Sequence, residues 1–425
     1  MKLDLVQLLR ENTDVTDFRI IEKQTESYET FFVHRSLETV RTTDTTRTNI
    51  TVYVDHGDLK GDSSFLIYAT TTQEEARQKI AQAVEKAKMI ENQHYTLPEN
   101  ETLERTIASG FSELPLSVLA ARVANAAFRA DCYENGSINA MEVFLYKTRT
   151  HIVNSRGIDK TETKYHAMIE AIPTWNTAEE SVELYEQYVF AEPDEAEITA
   201  EIDRKMKEVA YRSAAKKPEV MPSCRVVLQS EELATIAWEL TDQLHYGSVY
   251  AHSNAFSKGD ALQKEICGDV LNITLKSEQA GCCDGAVFDG DGVTLRDTEI
   301  IRDGKAIAYY GSNRFAQYLG EPITGDLPCL TMDCGSLTDD ALAKQPYFLV
   351  VSMSGLQLDI YSDYIGGEVR LAYYVENGTV TPMTGISISG KLSDALSSVR
   401  LSNRATARRS YYGPALAAFD GITVV

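Results

Sequence analysis

Glycine falls at 281, 285, 290, 292, 304, 311, 320 and 325, and no helix of ordinary length survives that spacing. Each interior glycine costs a helix about 1 kcal/mol relative to alanine. Short strands, by contrast, are joined by turns that favour glycine and aspartate. Residues 284–425 therefore read as a series of short strands, with helices expected only at about 337–343 and 392–400. Ahead of them, 225–229 reads as a strand and 231–246 as a helix. The first half has a different texture. Leu5, Leu8 and Leu9 sit at helical spacing, and 17–24, 29–35 and 47–54 look like strands, Ile50, Val52 and Val54 alternating with Thr51 and Tyr53. Thr72 is positioned to cap a helix running to about Met89, and Pro115 to open another through Ala130. Residues 139–173 form a polar, β-branched meander turning at Asn154–Gly157, and a charged helix at about 193–215 ends at Lys216–Lys217–Pro218. The fold class is α+β. An N-terminal αβ domain spans 1–215, divisible into about 1–95 and 110–215. After a boundary near 216–224 comes a β-rich C-terminal domain, 222–425, with a few helices.

Charge narrows the function. The 63 acidic and 41 basic residues give a net charge of −22, which on average repels a phosphate backbone and argues against direct nucleic-acid binding. There is no run of 18 apolar residues, so no transmembrane helix and no membrane role are expected. Asp4, Arg10 and Glu11 interrupt what a signal peptide would need as its apolar core. Seven cysteines without paired CxxC spacing suit a reducing, cytoplasmic setting.

The familiar catalytic motifs are missing: there is no GxxxxGK[ST], no GxGxxG after a strand, and no GxSxG. Asp289-Gly-Asp291-Gly opens like a calcium loop, but Val293 and Thr294 stand where such a loop needs a ligand and a glycine, so a β-turn is expected. Cys282 and Cys283 are followed by Asp284, which does not lower a thiol pKa, and read as structural. The helix at 231–246 buries Leu233, Ile236, Leu240 and Leu244. Its other side carries Trp238, Glu239, Asp242 and His245, which either line a pocket or form a solvated face.

Three stretches carry a resemblance: GSVYAHSNAFSKGDALQKEI (247–266), FDGDGVTLRDTEIIRDGK (288–305) and the strand-rich 354–399, with VENGTV and ISISGKLSDAL. They resemble the TldD/TldE family, also called PmbA or "modulator of DNA gyrase". Ala69–Thr71 and the Asn154–Gly157 turn are similar to family landmarks. In that family the TldD subunit is a zinc-type metallopeptidase with an HExxxH helix and a downstream Cys. It pairs with a TldE subunit lacking those ligands, and together they degrade unfolded peptides. Two imidazoles on one helical face hold the metal, while the Glu takes a proton from its water.

Aligned on Gly247, the helix here reads Trp238-Glu239-Leu240-Thr241-Asp242-Gln243. The His positions hold Trp238 and Gln243, only Glu239 is retained, and 399–413 contains no Cys. The resemblance thus implies a TldE/PmbA-like, non-catalytic subunit or scaffold that is inactive alone. Its expected partner is a TldD-like catalytic subunit or a second copy of itself, with unfolded peptides as substrates. No cofactor or metal is expected. Two alternatives stay open: an active metallopeptidase whose zinc is held by Glu239, Asp242 and His245, and a stand-alone peptide-binding homodimer.

Overall fold

Long antiparallel hairpins build the first half of the chain. The structure, a computed structural model, describes residues 3–218 and 225–425. In order, the first half contains α1 (Leu5–Glu11), β1 (Asp17–Val33), β2 (Ser36–His56), β3 (Leu59–Ile67), α2 (Gln73–Ala87), β4 (Asn92–Gln93) and β5 (Glu101–Thr106). There follow α3 (Leu116–Phe128), β6 (Gly136–Asn154), β7 (Ile158–Asn176), β8 (Ser181–Glu183), β9 (Glu186–Phe190) and α4 (Glu195–Ala214). One nine-stranded sheet runs β4-β3-β2-β1-β6-β7-β5, with β8 and β9 also on β7. The segments 1–95 and 110–215 therefore share a sheet. The boundary expected near 216–224 falls largely on 219–224, outside the described residues.

Where two strands were expected at 17–24 and 29–35, β1 is one strand of 17 residues, and β2 begins at Ser36 rather than at 47. The polar Thr25–Tyr28 stretch does not break it, because β2 and β6 pair with it on both edges, Thr25 facing Thr45 and Thr148. Alternation alone misses a strand whose continuity rests on neighbours. The helix ends agree better. Thr72 and Glu75 form a reciprocal capping box on α2, and Pro115 stands at the N-cap of α3. Asn154 closes the β6–β7 turn, its Oδ1 accepting from the Arg156 and Ile158 amides.

The second half holds β10 (Arg225–Gln229) in another nine-stranded sheet, beside a six-stranded sheet. Helix α5 (Ser230–Asp242) follows directly and buries Leu233, Ile236 and Leu240 in the main core. It stops at Asp242, short of the expected 246. A separate helix, α6 (Tyr246–Tyr250), starts after His245, whose ring caps it by accepting from the Gly247 amide. A further helix, α7 (Asn313–Leu319), was not foreseen; it ends at Gly320 in the left-handed region (φ 67°). Helices α8 (Asp339–Leu342) and α9 (Leu392–Ser398) lie where helices were expected. No described helix is long and apolar enough to cross a membrane.

The halves are joined at several places, among them α7, whose Asn313 and Gln317 donate to the Thr96 carbonyl at 2.8 Å and whose Arg314 donates to Asn92 at 2.6 Å. The 285–294 segment lies on the N-terminal sheet, where Ile152 and Ile158 pack with Val287 and Phe288. On the other side Arg408 pairs with Glu201 of α4 at 3.1 Å and Glu231 of α5 at 3.2 Å.

Candidate functional site

The site sought from the sequence is the outward side of α5 together with the 399–413 segment. The latter folds into a hairpin of strands Ala405–Arg408 and Tyr411–Pro414, which lies against α5. Ser410 stands at its turn. Trp238 lies half-buried against the main core, and its indole N–H donates to Ser410 Oγ at 3.1 Å. The first ligand position of the resembling motif is thus bonded to the segment where the third would fall.

Gln243, at the second ligand position, caps the end of α5 and accepts from the Ala255 amide at 2.8 Å, tethering the loop that follows α6. Glu239 is exposed. Asp242 accepts from the Tyr310 hydroxyl at 3.2 Å, and His245 turns elsewhere. With its Nδ1 accepting from Gly247, the His245 proton sits on Nε2, which faces Asp326 at 3.0 Å while the ring stands edge-on to Tyr310. The structure therefore does not gather Glu239, Asp242 and His245 into a set. Among the described residues no three His, Cys, Asp or Glu side chains stand where they could hold a metal. Neither does the donor chemistry at the motif positions fit a zinc: an indole and a tethered amide replace two imidazoles, and the 399–413 segment offers no thiolate.

The other motifs resolve into structural roles. Asp289 accepts from the Asp291 and Val293 amides, Gly292 donates back to the Asp289 carbonyl, and Asp291 pairs with Arg19 of β1. The segment is a turn that docks on the N-terminal sheet. Burial, with Asp291 beside it, pushes the Asp289 carboxyl up to about 7. Cys282 and Cys283 are buried; burial and then Asp284 push the Cys283 thiol up to about 12, the opposite of what a nucleophile needs.

Sequence reading missed Ser410, Arg408, Tyr310 and Asp326. All four lie in strands or loops too short to show a period, and only the departure of 399–413 from the family pattern pointed toward two of them.

Residues 222–425 match the family described as PmbA/TldA metallopeptidase C-terminal domain. The whole fold is similar to that of TldE from Thermococcus kodakarensis (TM-score 0.82, 13% identity, covering 99% of each chain). It is also similar to candidate DNA gyrase modulators from Thermotoga maritima (TM-score 0.76, 16% identity, 99% of this chain and 98% of that one) and Bacteroides thetaiotaomicron (0.78, 15%, 99% and 97%). No curated protein sequence matches significantly. Residues 222–425 therefore carry the C-terminal domain of the PmbA/TldA metallopeptidase family, within a fold that the whole chain shares with TldE.

Proposed function

We propose that this chain is a non-catalytic, TldE/PmbA-like subunit that scaffolds a TldD-type metallopeptidase acting on unfolded peptides. The Trp238–Ser410 hydrogen bond carries the reading, because an indole and a hydroxyl meet where the family would assemble its metal. Glu239 is the one motif residue retained, and a general base without a metal has no activated water to deprotonate. The net charge of −22 speaks against direct contact with DNA despite the gyrase label of two similar structures.

The test is to assay the purified chain on an unfolded protein such as reduced casein, alone and mixed with a TldD-type subunit, with elemental analysis of both samples. The expected result is no hydrolysis and no stoichiometric zinc in the chain alone, with co-elution and activity when mixed. About one zinc per chain, with activity abolished by chelator and by Glu239→Ala, overturns the proposal.

A further inference from the structure

The cross-strand register places Phe31, Glu142 and Glu170 in one row on a single face of the N-terminal sheet, Phe144 in the next row, and Tyr146 with His166 in the third. Helices α3 and α4 cover the opposite face, where Val143, Leu145 and Ile169 are buried. Nearer the C-terminal half the same face continues through Ile152, Lys160, Glu162 and Lys164, and there the chain itself covers it. The 285–294 segment folds over it, turning back at Asp289–Gly292 so that Phe288 bridges Thr294. Glu162 accepts from the Val287 amide at 2.6 Å, while Lys164 and Lys160 donate to the Gly285 and Gly292 carbonyls at 3.1 and 2.7 Å. One half of the face thus already holds a chain segment through side chains that bond to its backbone.

The other half holds a continuous strip of rings. Phe31 meets Phe144 at 5.8 Å, Phe144 stacks on Tyr146 at 6.2 Å, and Tyr146 on His166 at 4.8 Å. Beside the strip, Glu142 stands directly opposite Glu170. Like charges at that position destabilise a sheet, and burial, then the neighbouring Glu170, raise the Glu142 carboxyl. The cation facing Glu142 is Arg41, already paired with Glu29. Glu170 accepts from the uncharged Gln187 amide at 3.1 Å, so Glu29, Glu142 and Glu170 share one guanidinium, itself 5.2 Å over the Phe31 ring, and this deficit beside the half-buried Tyr146 favours a cation from outside. A second copy of a chain carrying −22 is a poor source of it.

We propose that this strip binds an extended peptide segment bearing lysine or arginine, the positive group between Glu142 and Glu170 and its stem over Tyr146. The proposal rests on the peptide-processing reading above and adds the charge class of the peptide.

Fluorescence anisotropy on the full chain tests it with three labelled dodecapeptides, alternating threonine with lysine, glutamine or glutamate. The lysine peptide should bind at least tenfold more tightly than the others, the preference fading with salt. Glu142→Gln with Glu170→Gln should erase the preference while leaving the melting temperature equal or higher, because a repulsion is removed. Tyr146→Thr should weaken all three peptides. Equal binding of the three peptides, or a preference that survives the double glutamine variant, overturns the strip but leaves peptide handling standing. No binding of any peptide overturns it too, and the mixed casein assay then shows whether the peptide-processing reading falls with it.

Discussion

Trp238 is the residue on which the catalytic question turns. Its ring is half withdrawn from water against the core, and its one polar atom has found an acceptor in Ser410. Ser410→Ala should cost about 1 kcal/mol in urea unfolding, since the indole N–H loses its acceptor while water still reaches the site. The same geometry sets a stricter test. If Ser410 marks the third ligand position, Trp238→His, Gln243→His and Ser410→Cys together should give a chain that takes up about one zinc and melts higher when it is bound. Trp238→His with Gln243→His alone should bind zinc far more weakly. A folded triple variant with no zinc at micromolar concentration would place the vestigial site elsewhere. The apolar stripe of α5 was legible in the sequence because it depends on helical phase, whereas placing Trp238 and Gln243 at the family's His positions rests on the resemblance. That Ser410 would be the atom meeting Trp238 was not legible, since it depends on how a hairpin 172 residues away packs.

At the scale of elements, helices announced themselves by caps and period, while strands did so less faithfully. Thr72 and Glu75 carry the start of α2 within four residues, but β1 looked like two pieces because its pairing partners lie elsewhere in the chain. The joint between α4 and α5 was equally hidden. There Arg204 and Lys205 of α4, with Arg408, serve Glu186, Glu201, Glu208 and Glu231. Glu232 stands nearby, in the first turn of α5, with one carboxylate oxygen buried and unpartnered. Burial, then the adjacent Glu231, push its carboxyl up to about 7. The sign follows from linkage. A raised pKa means the native state holds this proton more tightly than the unfolded chain does. The resulting stabilisation is complete below about pH 4.5 and is lost as pH rises through about 7. Glu232→Gln should remove that slope, leaving the variant more stable than the parent at pH 8, on the order of 2 kcal/mol, with little difference near pH 5. Urea midpoints across that range decide it, and parallel curves for the two proteins would show that Glu232 is ionised throughout.

The whole molecule depends on how its halves are held, and nothing in the local sequence pattern of 285–294 or of β7 indicated that the two would meet. Lys160 is the centre of that contact. It is fully buried, and its ammonium donates at 2.7 Å to the Glu101 carboxylate, the Gly292 carbonyl and the Thr294 hydroxyl. All three of its hydrogen bonds are thus used, two of them across the joint. A lysine is seldom buried so completely without such partners. Lys160→Met keeps much of the side-chain volume and removes the charge. It should cost on the order of 3 kcal/mol, because the Gly292 carbonyl is left without a donor and the Thr294 hydroxyl loses one partner. Glu101, half exposed, can return to water and softens the loss. The penalty falls on the joint and spares both cores. Arg19 with Asp291 and Arg408 with Glu201 still bridge the halves, so the variant should fold but unfold less cooperatively. Urea denaturation followed by the fluorescence of Trp175 in β7 and Trp238 in α5 can be separated using single-tryptophan versions. In the parent the two probes should report one midpoint, and in Lys160→Met two. Coincident midpoints in the variant would mean that the remaining contacts, Arg19–Asp291, Arg408–Glu201 and α7 on residues 92–96, couple the halves without Lys160.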